Sequence, residues 1–394
     1  MEFNSFYNRF QLDTGVLDKI GFNPYYLKVQ SGLDDILKVE GSEVVDLASN
    51  NYLGLANDKR IKDAVKNAVK KYGASMCATP IALGFSDLYE RMNRRLASFA
   101  GVEQALIYPS GYQANNGIFS AVTGKNDVII IDQYAHSSLI EGARATGCKI
   151  RPFLHNKMAS LEKNLLHSSQ YQQKFVVTES VFSTEGSIAP FNDIVNLCRK
   201  YNAIPVIDDS HGIGVLGNNG KGVLEHFGME NYPGIYTASL GKSLASLGGM
   251  VGGRRSLMNY LKYYSSHLVY STALPPHVLA GLEECLSIID LEFGDLSARM
   301  WSNRNRIRDA LIKNGYKLAD AEAPIVSVQT GETENTLMFA KNLFMNGIIS
   351  TPFVYPSVPK GKGIVRLIAG ANLSEEALNR VILSFREIKE NNTQ

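Results

Sequence analysis

Cysteine is scarce in this sequence, and its four cysteines lie far apart without a C-x-x-C pair. This spacing excludes a disulfide scaffold and a cysteine-based zinc module, and it favours reduced thiols. The chain also lacks a run of about 18 apolar residues, the length that crosses a bilayer. Its first residues do not combine a basic segment with an apolar stretch, as a secretory signal would. We therefore predict a cytoplasmic protein with no membrane span and no metal site.

An excess of charge of one sign is missing too, since 40 Lys and Arg face 38 Asp and Glu. A net charge of +2 removes the simplest electrostatic argument for binding nucleic acid. With 394 residues, of which 45% are hydrophobic and 20% charged, the chain has the composition of a globular protein. At about 150 residues per domain, this length predicts two or three domains.

Short apolar segments alternate with helical segments through the middle of the chain. The strand candidates are Ala105–Tyr108, Val128–Ile131, Phe175–Thr178, Ile204–Ile207 and Ile235–Ala238. Apolar strands separated by helices predict an α/β fold whose mainly parallel sheet is covered on both faces. Ligands of such sheets bind at the carboxyl ends of the strands, so the polar residues that follow these strands are candidate site residues.

The pattern changes at Pro275 and Pro276, where a long helical stretch begins. Strand candidates at Ile325–Val328 and Ile364–Ile368 alternate with helices beyond it. We predict a lead-in segment of helix and irregular structure at residues 1–50, a large α/β domain at 51–275, and a small α+β domain at 276–394.

Two familiar motifs occur without the context that they need. Gly212–Gly217 matches the dinucleotide fingerprint G-x-G-x-x-G, but turn-forming residues follow it where a helix should begin. Ser239–Lys242 matches the S-x-x-K tetrad of penicillin-binding enzymes, yet the accompanying S-D-N and K-T-G elements are absent. We therefore predict that the glycines form an irregular loop.

Lysine, aspartate and histidine follow neighbouring strand candidates. Lys242 comes after the last of them, and Asp208 and His211 come after the one before. A solvated surface lysine is the ordinary alternative, but the three groups together suit a cofactor with an aldehyde, a ring nitrogen and a phenolic oxygen. Pyridoxal phosphate has these groups, because lysine forms its Schiff base and a carboxylate keeps its ring nitrogen protonated. Ser110–Asn115 opens a helix, and the helix start offers amides to a phosphate.

At these residues the chain resembles the α-oxoamine synthases, which are fold-type I pyridoxal-phosphate enzymes. The group includes 8-amino-7-oxononanoate synthase, glycine C-acetyltransferase, 5-aminolevulinate synthase and serine palmitoyltransferase. The likeness extends from about residue 23 to residue 388. The matching segments are Ser49–Leu55, Ser110–Asn115, Ala135–Leu139, Thr178–Ser183, Asp208–His211, Ser239–Lys242 and Tyr270–Pro276. Parts of the chain also resemble the quorum-signal aminoketone synthases.

The resemblance implies a large domain with a mainly parallel sheet, a smaller α+β C-terminal domain and a role for each matched residue. Lys242, His136, Asp208 and His211 would be catalytic: Lys242 forms the Schiff base and moves protons, His136 stacks on the ring, Asp208 pairs with the ring nitrogen, and His211 bonds the phenolic oxygen. The other cofactor contacts would come from Gly111, Tyr112, Ser239 and Ser183, and from Thr272 of the second subunit. Asn50 and Arg366 would bind the substrate carboxylate. Satisfied core histidines and a surface strand arginine are the alternatives for His136, His211 and Arg366.

The implied reaction condenses a small amino acid with an acyl-CoA to an α-aminoketone, CoA and usually CO2, in a homodimer with shared active sites. An aminotransferase or amino-acid lyase of the same fold is the alternative, because it would use the same lysine and aspartate. Tyr89 and Asn372 stand where many members carry histidine, and the segment at Gly73–Pro80 also departs from the family. The amino acid, the acyl chain length and the pathway therefore stay open.

Overall fold

The computed structural model describes residues 4–10 and 13–391. Its helices are α1 (Asn4–Tyr7), α2 (Gly15–Ile20), α3 (Lys59–Tyr72), α4 (Asp87–Ala100), α5 (Gly111–Val122), α6 (Ser137–Ala145), α7 (Met158–Leu166), α8 (Phe191–Tyr201), α9 (Val223–His226), α10 (Arg255–Tyr264), α11 (Ser266–Val269), α12 (Pro276–Lys313), α13 (Thr333–Met345) and α14 (Glu375–Asn391). The strands are β1 (Ile36–Val39), β2 (Ser42–Asp46), β3 (Gln104–Tyr108), β4 (Val128–Asp132), β5 (Lys149–Phe153), β6 (Lys174–Glu179), β7 (Ile204–Asp208), β8 (Ile235–Ser239), β9 (Gly249–Gly253), β10 (Ile325–Gly331), β11 (Ile348–Ile349), β12 (Thr351–Phe353) and β13 (Gly363–Ile368). A π-helical turn at Pro80–Gly84 precedes α4.

A seven-stranded sheet in the order β3-β9-β8-β7-β6-β4-β5 forms the centre of the molecule. Strand β9 is antiparallel to both neighbours, and the other pairs are parallel. Successive side chains of each strand enter opposite layers: Ile107 and Ile207 pack with α3, α4 and α12, whereas Leu106 and Val206 pack with α5 and α6. The prediction of a mainly parallel, doubly covered sheet is confirmed.

Two of these strands were not predicted, because neither has a continuous apolar pattern. Strand β5 lies at the sheet edge, and its residues from Lys149 to Pro152 are only partly buried or exposed. Strand β9 is fully buried but rich in glycine, which normally disfavours strands. Its glycines leave room for neighbouring backbone, since a Cβ on Gly249 would lie 2.6 Å from the Gly111 backbone.

The prediction of helix and irregular structure at residues 1–50 was wrong in part, because β1 and β2 form an antiparallel hairpin there. Its two turn residues, Glu40 and Gly41, have φ angles of 48° and 82°, as a type I′ turn requires. Strand β2 then pairs in parallel with β11, so the hairpin joins the C-terminal part of the chain.

Helix α12 runs unbroken for 38 residues, and its first part packs on α3 and α4. Its last turns join a second core with α13, α14 and the antiparallel sheet β10-β13-β12. In that sheet Ser327 lies opposite Arg366. Within the described residues, no helix is long and apolar enough to cross a membrane. The domain boundaries themselves stay a prediction.

Candidate active site

Lys242 lies in the short loop that joins the antiparallel strands β8 and β9. The loop is a tight turn, in which the Ala245 amide donates to the Lys242 carbonyl over 2.9 Å. Burial lowers the pKa of the Lys242 amine to about 8, although the nearby Asp208 and Glu179 carboxylates oppose that shift. A lysine with this pKa supplies free amine near neutral pH, and the free amine is the form that attacks an aldehyde.

The Asp208 carboxylate ends β7 and is hydrogen-bonded on both oxygens. The Asn115 side chain donates to Oδ2 over 2.7 Å, and the Ser210 amide donates to Oδ1 over 2.9 Å. Asn115 is itself oriented, because its own oxygen accepts from the Thr237 hydroxyl over 2.8 Å. Since Asp208 is 4% exposed, this network fixes a buried carboxylate in one orientation.

His211 is also buried, and its Nδ1 lies 2.8 Å from the Tyr52 hydroxyl. Burial lowers the pKa of His211 well below its usual value, and the charges of Lys242 and Arg366 act in the same direction. The ring is therefore neutral at physiological pH. Because the Tyr52 contact occupies Nδ1, a ligand in the site would meet Nε2.

His136, by contrast, is exposed. Its Nδ1 lies 2.8 Å from the Ser138 hydroxyl, at the start of α6. Its backbone amide donates to the Glu179 carboxylate over 2.7 Å, and burial raises the pKa of that carboxyl well above its usual value. Because His136 is not in the core, the alternative of a satisfied core histidine is wrong for it, and its stacking on the cofactor stays a prediction.

The first turn of α5 packs tightly against the end of β8. Ser110 caps the helix, since its hydroxyl accepts from the Gln113 amide over 3.1 Å. A Cβ on Gly111 would lie 3.0 Å from the Ser239 Cβ, so a side chain there would fill this close approach. First-turn amides lack partners inside a helix, and together with a serine hydroxyl they suit a phosphate group.

Tyr112 and Thr272 are exposed on the surface next to this helix start. The neighbour of Thr272, Ser271, accepts a hydrogen bond from the Gln113 side chain over 3.0 Å. The segment after α11 is therefore attached to the first turn of α5 within one chain. The predicted contact of Thr272 with a second subunit stays a prediction.

Arg366 is 6% exposed in the middle of β13, so the alternative of a surface strand residue is wrong. Its guanidinium donates to the Ser183 carbonyl over 3.0 Å and lies 5.1 Å from the Phe353 ring centroid. Its Nε is buried without a hydrogen-bond partner, and so is the Asn50 side-chain oxygen. Across residues 13–391, no carboxylate lies within ion-pair distance of this guanidinium. A buried charge without a counter-ion is costly, which indicates a site for an anionic ligand.

Asp209 points away from these groups, as expected of a neighbour in a strand. It accepts hydrogen bonds from the Tyr236 hydroxyl over 2.7 Å and from the Val223 amide over 2.9 Å. Burial raises its pKa to about 7. A Cβ on Gly212 or Gly222 would lie 2.0 Å from a carboxylate oxygen of Asp209. The glycine-rich segment is therefore a loop folded around Asp209, and the prediction that it is no dinucleotide motif is confirmed.

The sequence is similar to a known protein family and to several proteins of known name. The family model described as aminotransferase class I and II matches residues 42–385. An 8-amino-7-oxononanoate synthase of Alkaliphilus oremlandii is 35% identical over 353 residues, 89% of each chain. Another, from Thermoanaerobacter pseudethanolicus, is 36% identical over 351 residues, again 89% of each chain. The chain belongs to the α-oxoamine synthases, within the aminotransferase class I and II family.

Two solved structures are similar to this α-oxoamine synthase over most of its length. A serine palmitoyltransferase of Sphingomonas wittichii superposes with a TM-score of 0.92 at 26% identity, covering 100% of this chain and 98% of the other. An 8-amino-7-oxononanoate synthase of Francisella tularensis gives a TM-score of 0.76 at 25% identity, covering 89% and 99%. The fold-type I architecture, the pyridoxal-phosphate cofactor and the enzyme class predicted from the sequence are thereby confirmed.

Five of the residues predicted for this α-oxoamine synthase interact electrostatically, while the role of each stays a prediction; they are Lys242, Asp208, His211, His136 and Arg366. The electrostatic partners of Lys242 include Asp208 and Arg366, and those of His211 include Lys242 and His136. The sequence reasoning missed the side chains that orient these groups: Tyr52, Asn115, Ser138, Glu179 and Thr237. Each missed residue is polar yet buried, which only the fold reveals.

Proposed function

We propose that this α-oxoamine synthase joins a small amino acid to the acyl group of an acyl-CoA, giving an α-aminoketone and CoA. The observation that carries the amino-acid half of this proposal is the buried guanidinium of Arg366, which has no counter-ion among residues 13–391. A substrate carboxylate supplies the missing charge. The sequence relatives support the acyl-transfer half.

The residues around Lys242 fit pyridoxal phosphate. The amides of Gly111 and Tyr112 with the Ser239 hydroxyl would hold the phosphate, and Asp208 would pair with the ring nitrogen. When bound, the cofactor withdraws electrons from the α-carbon of an attached amino acid. The hydrogen bonds from Asn115 and Ser210 keep the Asp208 carboxylate aimed for that contact.

Lys242 has two tasks in this proposal, attachment of the cofactor and proton transfer at the substrate α-carbon. Both need an amine that gains and loses a proton near neutral pH, and burial lowers the pKa of Lys242 to about 8. The exposed ring of His136 would cover one face of the cofactor. His211 would donate from Nε2, and Ser183 would lie near the phenolic oxygen.

Arg366 and Asn50 would orient the substrate. A guanidinium can bind a carboxylate through two parallel hydrogen bonds, which fixes the α-carbon as well as the charge. The Nε of Arg366 and the side-chain oxygen of Asn50 are among the buried polar atoms that lack partners within the described residues. The Asn50 oxygen could accept from an amine or hydroxyl of the substrate.

The acyl partner would be selected near the π-helical turn, where the chain departs from its family. A cavity of about 290 Å³ lies there, and Pro80, Ile81, Phe85 and Tyr89 are among its lining residues. The Tyr89 hydroxyl donates to the Ile107 carbonyl over 2.7 Å, so its ring is held in place. Replacement of Tyr89 by histidine should change acyl preference and leave amino-acid affinity nearly constant.

We also propose a homodimer in which each subunit completes the other's site through Thr272. Exposed aromatic side chains precede this segment in the chain, among them Tyr263 (66%), Tyr264 (65%) and Tyr270 (83%). Large exposed apolar side chains in one part of the chain support an interface there. Mixing Lys242→Ala with Thr272→Val should restore activity in hybrid dimers, whereas a fully active monomer in sedimentation would contradict the proposal. A thiol product, CoA, and cysteines that are all free agree with a cytoplasmic enzyme.

The experiment that tests the reaction measures CoA release from a panel of acyl-CoAs, each mixed with single small amino acids. We expect release only when both substrates are present. An aminotransferase of the same fold would instead convert the amino acid to a keto acid and leave the thioester intact. That result would overturn the proposal.

A further inference from the structure

Outside the residues assigned so far, one histidine links two carboxylates. His155 follows β5, and its Nδ1 lies 3.0 Å from Asp132 Oδ1. Its Nε2 lies 3.1 Å from the Ser187 hydroxyl and 3.4 Å from Glu185 Oε1. The Ser187 hydroxyl donates to the same Glu185 oxygen over 2.9 Å. Both ring nitrogens of His155 therefore have partners, and these partners fix the rotation of the ring.

The faces of the ring are held as well. Tyr134 stacks on His155 with ring centroids 4.6 Å apart, and Phe182 meets it edge-on at 4.3 Å. The Asp132 side chain is fully buried, and its second oxygen accepts from the Asn156 amide over 3.1 Å. These contacts fix the orientation of the His155 side chain, which lies on one side of the turn formed by residues 182–187.

This turn is closed by two backbone hydrogen bonds. The Phe182 amide donates to the Ser187 carbonyl over 3.0 Å, and the Gly186 amide donates to the Phe182 carbonyl over 2.9 Å. Because the turn is closed, a displacement of its Glu185 and Ser187 end also moves the residues between them.

The opposite side of the turn contacts the strands that carry the carboxylate site. The Ser183 carbonyl accepts from the Arg366 guanidinium over 3.0 Å, and the Thr184 carbonyl accepts from the Ser327 hydroxyl over 2.5 Å. Ser327 lies opposite Arg366 in the β10–β13 register. The turn therefore lies between His155 on one side and Arg366 on the other.

We propose that His155 is a positioning residue for Arg366, acting through the turn of residues 182–187 to set the place of the Ser183 carbonyl. The proposal rests on the proposed function of Arg366 as the ligand of the substrate carboxylate. A displaced Ser183 carbonyl would let the guanidinium rotate away from its bidentate geometry. Loss of the bidentate contact would weaken binding of the substrate carboxylate equally in the ground state and the transition state, which raises KM and leaves kcat nearly unchanged.

The test replaces His155 by phenylalanine, which keeps the ring between Tyr134 and Phe182 but removes both polar contacts. We expect the KM for the amino acid to rise roughly tenfold, with the KM for the acyl-CoA and kcat changed by less than about twofold. His226→Phe is the matched control, because His226 is exposed and packs edge-on against Phe227, away from the turn. The dissociation constant of the amino acid alone, measured by calorimetry without acyl-CoA, should rise in parallel.

Coupling separates positioning from a general structural role. If His155 acts through Arg366, the effects of His155→Phe and Arg366→Lys on the amino-acid KM should combine to less than their product. His155→Gln, which can still bond one carboxylate, should restore part of the lost affinity. Equal rises in both KM values, or fully multiplicative effects, would overturn the proposal.

Two further outcomes keep the two proposals distinguishable. If Arg366→Lys raises the amino-acid KM and His155→Phe does not, the positioning role is wrong and the carboxylate site stands. If neither variant raises it, the carboxylate site lies elsewhere, and the positioning proposal fails with it. Should His155→Phe not fold, Ser187→Ala removes a single hydroxyl from the same network, and an unchanged amino-acid KM in that variant would overturn the proposal.

Discussion

Asp208 and Arg366 are both buried charges beside Lys242, yet the chain treats them in opposite ways. Asp208 is bonded on both oxygens by Asn115 and Ser210. Within residues 13–391, the Arg366 guanidinium donates to the Ser183 carbonyl and leaves its Nε without a partner.

This difference corresponds to two kinds of ligand. A carboxylate held rigidly by the protein suits a group that stays bound through many turnovers, because the protein need not reorganise around it. An incompletely paired guanidinium suits a group that arrives and leaves in each turnover, because its missing partner comes with the substrate. The incompletely paired guanidinium of Arg366 favours substrate binding, and it lowers the stability of the protein without substrate.

The Lys242 amine interacts electrostatically with both Asp208 and Arg366. Its removal should therefore impair both the cofactor side of the site, at Asp208, and the substrate side, at Arg366. Lys242→Ala should reduce CoA release by roughly a thousandfold or more, because proton transfer alone commonly contributes 10²–10⁴-fold. Cofactor should still bind through the phosphate contacts. Borohydride reduction followed by mass spectrometry should attach the cofactor to Lys242 in the unaltered enzyme. An adduct on another lysine, or unchanged turnover, would contradict the site, and the exposed Lys125→Ala is the control.

Removal of Arg366 should affect only the binding of the amino-acid substrate, which arrives and leaves in each turnover. A charge-assisted hydrogen bond contributes about 1.5–3 kcal/mol, so Arg366→Ala should lower kcat/KM for the amino acid roughly tenfold to a few hundredfold. Arg366→Lys keeps the charge without the fork and should retain much of the loss. Acyl-CoA KM should change far less. Untouched amino-acid parameters would mean that the carboxylate binds elsewhere.

Asp209 offers a comparison by pH, since it is a buried carboxyl that binds no ligand. Its pKa is raised to about 7 by burial, so the folded protein holds a proton that the unfolded chain releases near pH 4. That contribution to stability is present below pH 4 and lost as the pH rises to 7. Asp209→Asn should flatten this dependence by roughly 3 kcal/mol in denaturant unfolding between pH 4 and 7. The exposed Asp193→Asn should not, and an unaltered slope in Asp209→Asn would refute the assignment.

The hydrogen bonds that hold the Asp208 carboxylate can be weakened without replacing Asp208 itself. Asn115→Ala leaves one oxygen of a buried carboxylate unbonded, which should cost about 1–3 kcal/mol of unfolding free energy. Asn116→Ala is the matched control, because that side chain bonds only backbone carbonyls at the half-buried face of α5. Arg366→Met should have the opposite sign and leave the free protein as stable or more stable. Equal destabilisation by Asn115→Ala and Arg366→Met in thermal unfolding would remove the distinction.

The smallest effect is expected at the edge of the sheet, far from either charge. Tyr89→Phe deletes the hydrogen bond to the Ile107 carbonyl on the edge strand β3 and should cost about 1 kcal/mol of unfolding free energy. Asn93 bonds the Ile107 amide over 3.0 Å, and its side chain should hold the strand in this variant. Kinetic parameters for the amino acid should be unchanged. A fall in amino-acid affinity would link this edge to the carboxylate site.

Much of the fold was predictable because β4, β6 and β7 are apolar over nearly their whole length. The strands β5 and β9 were not, since one is half exposed and the other is glycine-rich. Their strand character comes from neighbours in the sheet, which a local pattern does not contain.

The chemistry-bearing residues were predictable for a similar reason. Lys242 and Asp208 follow strands directly, and the order of strands in a parallel sheet brings such ends together. The residues that orient them were not, because Tyr52 meets His211 across 159 positions of the chain. Asn115 lies inside a helix whose pattern gives no sign that Asp208 faces it. Pairings of this kind exist only after folding.

The pairing of β2 with β11 has a consequence for synthesis. Val45 emerges from the ribosome about 300 residues before Ile348, the residue opposite which it lies. The β1–β2 hairpin therefore cannot pair with β11 until that strand has been synthesised. The central sheet, whose last strand ends at Gly253, can already form by then. Strand β13 with Arg366 appears later still. The growing chain thus acquires Lys242 and Asp208, the residues proposed to hold the cofactor, before Arg366, the residue proposed to bind the amino acid.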